Sequence, residues 1–332
     1  MIRTKQILIP AILAIASTGF AQKDKPKLHS DFYVGTYPAY RDTPALLNQE
    51  NARLLLVGFH QNWDIEKIAK ESRVAEPELD RLFADLEEAR LATEVDLSEY
   101  HPRLPVIRDR DISRIDLDLE IHTRQYADLL RSNWPEIEAA LAPLTGTNDI
   151  PSAQLMYQVV AGAIVFGGMN DALYDDQTIM ISPPRRVGSQ RYYAWMVESD
   201  PVRAGILKRD EWESDGYTLI SIGKGLAENR TNLERIRMEH GMVLENAEAR
   251  QFRSFVAIFT KERLLPYFKT HRAEFLNVLN ELDAGKYVSV SSAFAWYYDQ
   301  MANGVVENLV KDGRIQPPDG HYAFALKVPV TR

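Results

Sequence analysis

The sequence predicts a mainly α-helical fold with minor β structure, an α+β chain in two parts, and three observations carry that prediction. Long stretches place apolar residues at alternating three- and four-residue steps, the period of one helix face. Only a few short runs, bounded by Gly, Pro, Asn and Asp, have the alternation or aromatic content of strands. A Pro/Gly/Asn-rich break at 145–151 divides the chain. With 332 residues, 45% of them hydrophobic, there is enough chain for one large core or two ordinary ones.

The chain opens MIRTKQILIPAILAIASTGFAQ. Arg3 and Lys5 form a basic start, Ile7 to Ala16 an apolar run, and Gly19-Phe20-Ala21 a small-x-small signature. Residues 1–21 therefore read as a secretory signal peptide cleaved before Gln22. The apolar run is shorter than the roughly 20 residues of a spanning helix, and Pro10 interrupts it. The expected mature chain is periplasmic or extracellular, with no membrane insertion after cleavage. Losing Arg3 and Lys5 takes the formal charge from −8 to −10. So acidic a chain repels phosphate, which argues against nucleic acid as a partner. The absence of cysteine removes disulfides, a thiol nucleophile and a lipid-modified cysteine anchor, so folding rests on burial.

Residues 22–45 form a polar leader that passes into an aromatic, extended entry, DFYVGTYPAYRDTP. Three helices are expected next: Leu46 to Gln61, Asp64 to Ser72 capped by Asp64, and Glu76 to Arg90 with Pro77 in its first turn. LATEVDLSEYHPRLPVIRD then supplies two short extended pieces around a polar tip. Ile65, Ile68, Ala69, Val74, Leu79, Leu82, Leu86 and Leu91 are the apolar positions of this stretch. The order of three helices and a hairpin over roughly 46–109, in a module of 46–110, resembles the winged helix-turn-helix domains of bacterial regulators. That resemblance implies a third helix that enters the DNA major groove. The charges oppose it: Glu76 to Arg90 holds six acids and two bases, a sign that phosphate repels. The module is expected to make protein contacts or to support the body.

RIDLDLEIH, Arg114 to His122, sets Asp116, Asp118, Glu120 and His122 two positions apart, which on a strand would form a ladder of metal ligands. The longer window excludes this. Ile112, Ile115, Leu119, His122, Tyr126 and Leu129 form one helical stripe, with Asp111 as N-cap and Glu120–Arg124 an i,i+4 pair. On a helix the four groups divide between two sides, so no metal site is expected.

Residues 111–150 read as connecting helices and 151–332 as an α-rich C-terminal domain with β hairpins. SAQLMYQVVAGAIVFGGMNDALYDD is a helix apolar nearly all round, suited to the centre of a core, where Gly162, Gly167 and Gly168 would let a neighbouring backbone approach closely. YTLISIG is strand-like, 228–244 is helical, and 247–268 is helical with a break near Pro266. Phe294, Tyr297, Tyr298, Met301, Val305 and Leu309 fall at helical spacing in a helix that Gly313 ends. RIQPPDGHYAFALKV follows as a hairpin about Asp319-Gly320.

No nucleophile elbow, zinc-protease helix or P-loop is present, the seven histidines are scattered, and no cofactor is expected. Asn229 to Thr231 is a glycosylation triplet that only a eukaryotic route would use. The region 185–217 is richest in chemistry. Its ligand-binding candidates are Arg185, Arg186, Arg191, Tyr192, Tyr193 and Trp195, and its catalytic candidates Glu198, Asp200 and Asp215, because aromatic platforms beside carboxylates suit glycans. The expected function is a non-catalytic binding protein of the cell envelope or extracellular space, its partner another protein or an envelope glycan. The alternative is an exported carbohydrate-active or other hydrolase that uses 185–217.

Overall fold

The computed structural model of the chain describes residues 28–37, 45–96, 98–181, 183–184, 186, 191–198, 207–224, 231–317 and 321–327. The signal-peptide reading, Arg185, Asp200, Asn229 of the glycosylation triplet and the Asp319-Gly320 turn lie outside the described residues. What is described is mainly helical, with three small sheets.

The N-terminal elements follow the order read from the sequence. After β1 (Phe32–Tyr37) come α1 (Glu50–His60), α2 (Ile65–Ser72), α3 (Glu76–Glu88), β2 (Ala92–Asp96) and β3 (Glu99–Pro102). The Asp64 carboxylate caps α2 by accepting from the Lys67 backbone N–H at 2.7 Å, satisfying a donor that a helix start leaves open. Ile65, Ile68, Leu79, Leu82, Leu86 and Leu91 share one buried cluster, with Ala69 and Val74 packed against it.

β4 (Val106–Ile107) leads into α4 (Asp109–Ser132). Ile112, Ile115, Leu119, His122 and Tyr126 lie on its buried face, completed by Leu130; Leu129 is only partly buried. Glu120 meets Arg124 at 2.6 Å. The start of the helix differs from expectation. Arg108 is the N-cap, and Asp111 stands fully buried in the first turn with the Arg110 and Arg114 guanidinium groups 3.5 Å away. An acid there complements the positive end of the helix, and burial pushes its carboxyl above the usual range. His122 sits at the core margin, Nδ1 2.8 Å from the Tyr267 hydroxyl. Among the described residues no three His, Cys, Asp or Glu side chains are grouped to hold a metal ion.

After α5 (Trp134–Leu141) comes the apolar helix. It consists of α6 (Ser152–Met156), a π-helical stretch (Tyr157–Gly168) and α7 (Met169–Asp176), and is buried continuously from Met156 to Gly167. By length and apolarity it could cross a membrane, but 78% of its most apolar window is buried inside the molecule. It is the central helix of the larger core.

β5 (Tyr193–Glu198) is the middle strand of the sheet β1-β5-β4, antiparallel to β1 and parallel to β4. Strand side chains alternate between faces. Tyr193, Trp195 and Val197 enter the larger core, whereas Ala194 and Met196 enter the N-terminal one. Val106 and Ile107 of β4 divide in the same way.

A second sheet, β6-β7-β9-β8, joins β6 (Leu207–Ser214), β7 (Tyr217–Lys224), β9 (His321–Lys327) and β8 (Val243–Glu245). Ile220, Ile222, Phe324 and Leu326 face the larger core. Trp212, Leu219, Ala323 and Ala325 face α8 (Leu233–Met238), which covers them with Ile236. Here two expectations are corrected. Residues 228–244 are not one helix, because the chain turns at His240 (φ 55°) and Gly241, where a Cβ would lie 2.2 Å from the Ala323 carbonyl oxygen. Nor does β9 pair with the segment before it: Gln316 N–H donates to the Ala153 carbonyl at 2.9 Å, while β9 inserts between β7 and β8.

The rest is helical: α9 (Asn246–Phe259), a π-helical turn (Thr260–Leu264), α10 (Leu265–Thr270), α11 (Arg272–Glu281) and α12 (Val290–Lys311). The irregularity expected near Pro266 falls in the turn before it, where the ring would clash with the carbonyl four residues back. Gly313, at φ 69°, follows α12.

Since Met196 projects into the N-terminal core from a strand whose other face belongs to the larger one, Met196→Ala should cost about 2–5 kcal/mol and lower the stability of both. Urea unfolding read in parallel by tryptophan fluorescence and far-UV circular dichroism should stay a single transition. Two separated transitions would show that the cores unfold independently.

Candidate functional site

A groove of about 1040 Å³ crosses the inner face of the four-stranded sheet. Its floor is Ile220, Phe324 and Leu326; one wall is the central helix, with Gly167, Gly168 and Asp171, and the other is α9 and the π-turn after it, with Phe252, Val256 and Thr260. The walls converge at Gly168, where a Cβ would come within 2.5 Å of Val256 Cγ1. The glycines were expected to admit a neighbouring backbone; what approaches from other elements is instead side chains, Phe324 at Gly162, Arg209 at Gly167 and Val256 at Gly168. Both walls contain π-helical turns, irregularities that concentrate at functional sites.

The rim carries both signs of charge. Arg209 Nη2 reaches Glu211 Oε2 at 2.6 Å, Lys269 pairs with Asp176, and Arg253 Nη2 donates to Thr218 Oγ1 at 2.7 Å. The Asp171 carboxyl is pushed above its usual range, chiefly by desolvation between the walls; Arg209 opposes the rise, and Glu211 and Asp175 add to it.

Behind Arg209 a cavity of about 20 Å³ is bounded by Tyr37, Phe166, Lys208 and Asp299, room on the order of one water molecule. Asp299, on α12, is 2% exposed. Its Oδ2 accepts from Gln300 Nε2 and Asn303 Nδ2, both at 3.3 Å, and Asn303 Oδ1 accepts from the Leu207 backbone N–H at 2.9 Å. Burial pushes the Asp299 carboxyl up to about 6, against the pull of Lys208.

The residues picked from 185–217 do not assemble. Tyr192 is buried in the N-terminal core, Tyr193 and Trp195 in the larger one, so none presents a ring face to a ligand. Arg186 is 6% exposed, donates to the Arg90 carbonyl and lies 5.5 Å above the Tyr192 ring; burial lowers its guanidinium to about 10. Arg191 is exposed and donates to the Pro183 carbonyl at 3.3 Å. Glu198 is fully engaged, accepting from His29 Nε2 at 2.7 Å, from Arg108 Nε and Nη2 at 3.4 Å and from the Asp109 N–H at 3.2 Å. Burial would raise its carboxyl, but the bonds from Arg108 and His29 outweigh that and hold it low. Asp215 (φ 53°) and Gly216 (φ 76°) form the two-residue turn between β6 and β7. The reason for the scatter is strand alternation, which sends neighbours such as Tyr193 and Ala194 into different cores.

Sequence reasoning missed Arg209 and Asp299 as site residues. Asp299 had a signal, an acid flanked by aromatic positions of a helix apolar on several sides. Arg209 had none beyond membership of a charged stretch. Compared with known proteins, the chain matches no family model, no curated protein and no solved structure.

The Asp299 carboxyl makes a specific pH dependence. Its folded-state value lies above its unfolded one, so the folded state holds the proton to higher pH and stability from this group falls as pH rises from about 4 to about 6. The loss is on the order of 3 kcal/mol. Asp299→Asn should remove that slope and raise stability at pH 7 in denaturant titrations at a series of pH values. An unchanged slope would show that Asp299 is not the titrating group.

Proposed function

We propose that the chain is an exported, non-catalytic binding protein of the cell envelope or extracellular space, and that the groove on the four-stranded sheet holds a segment of a macromolecular partner. The groove is the observation that carries this reading. At about 1040 Å³ it is at the upper limit of compact small-molecule pockets. Its apolar floor offers burial, and its mixed rim charges offer orientation. A protein segment fits better than a glycan, since Tyr192, Tyr193 and Trp195, the rings expected to stack on sugars, are spent on packing. Export rests on the basic start, apolar run and small-x-small site of residues 1–21.

Ala257 lines the groove and is exposed, so Ala257→Trp fills the groove without entering the core. Thermal shifts of the mature chain against peptides, sugars and peptidoglycan fragments should show a rise from peptides. Ala257→Trp should remove the rise and leave the ligand-free Tm unchanged. No shift from any class, or a shift that survives Ala257→Trp, would overturn the reading.

A further inference from the structure

We infer that β6 is a docking edge, and that its occupant is an extended peptide segment with Lys or Arg at alternate positions, added to the sheet as a fifth strand. This rests on the reading of the groove as a binding site and deepens it by naming the partner's form and charge.

Among the described residues β6 is paired on one side only, by β7, over an unbroken register from Leu207–Lys224 to Ser214–Tyr217. The Leu207 N–H donates sideways to the Asn303 amide of α12, so it points away from β7. In an antiparallel pair the N–H and C=O of one residue share a direction, and the direction alternates along the strand. Arg209, Glu211 and Glu213 therefore also direct their backbone groups away from β7, and among the described residues no backbone or side-chain group meets those N–H groups. Asn303 already does for Leu207 what a strand would do for the next three alternate positions. Glu211 and Glu213 are exposed, so the edge is open along this half.

The groove runs under the same edge. Arg209 and Glu211 line it, and beyond them stand Asp171 and Asp175 on α7. A fifth strand would point alternate side chains into this end of the groove. The charge there is acidic: Glu211 already neutralises Arg209, and Asp171 makes no hydrogen bond or ion pair among the described residues. Glu213, two positions further along the same face, continues the same sign and accepts from Thr218 Oγ1 at 2.8 Å. Opposite charges directly across a strand pair are favourable and like charges are not, so the partner's alternate residues are basic. Main-chain bonds supply affinity in strand addition and alternate side chains supply specificity.

The probe is a displayed random dodecapeptide library panned on the mature chain, followed by synthesis of enriched peptides with a free backbone and with N-methyl groups at every second residue in either phase. Enriched peptides should carry Lys or Arg at alternate positions and weaken as salt rises. One phase of N-methylation should weaken binding at least tenfold while the other leaves it unchanged. Glu211→Pro removes an N–H that the sheet does not use, as edge strands tolerate, and should weaken binding at least tenfold with the circular dichroism spectrum retained. If that variant does not fold, the two N-methyl phases still decide. Peptides that bind wild type and not Ala257→Trp, yet tolerate both phases, would overturn strand addition and leave the groove reading standing. No enrichment, or equal binding to Ala257→Trp, would overturn both.

Discussion

Two hydrophobic cores in this protein share one strand. β5 alternates Tyr193, Trp195 and Val197 into the larger core with Ala194 and Met196 into the N-terminal one, and it is flanked by β1 and β4, which come from the N-terminal half of the chain. The pairing is what makes the two parts one structure. Without β5 the three N-terminal helices lose a wall of their core, and α4, which starts two residues after β4, loses its fixed origin. The Glu198 cluster locks the end of the same strand, tying β5 to Arg108, to the first turn of α4 and to His29.

The groove depends on that frame through the central helix. A helix apolar nearly all round has to be surrounded, and here α12, α9 and the four-stranded sheet surround it within one cluster. Where Gly167 and Gly168 leave it without side chains, α9 approaches closely on one side and Arg209 lies beside it on the other. Burying a charge is costly unless it is paired. Arg209 has Glu211, whereas Asp299 has amide donors and a carboxyl raised by desolvation. The ionisable groups around the groove are thus held in place by the packing that also shapes its floor.

Helices were legible in the sequence because a 3.6-residue period over many turns has few competitors. Asp64 as a cap, the stripe from Ile112 to Tyr126 and the burial of Met156 to Gly167 all follow from local pattern. The failures are tertiary. YAWMV is a short continuous apolar run, the mark of a strand buried on both faces, but its rings resembled a ligand platform beside Glu198 until the sheet gave each side its own core. Gly241 ended a helical reading because β9 passes directly against it, and β9 lies between strands more than 70 positions earlier in the chain. Asp215-Gly216 carried a plain turn signal that its acidic neighbours obscured. Arg209 and Asp299 line one small cavity only because the start of β6 meets the middle of α12, which brings together residues 90 positions apart.

Amide hydrogen exchange of the mature chain under native conditions tests the shared strand most directly. If both cores stand on β5, the amides of Ala194 to Val197 exchange only through global unfolding, with the highest protection in the molecule and the same denaturant dependence as those of the central helix. Exchange of these amides through an opening of much lower free energy, with the central helix still protected, would contradict the account.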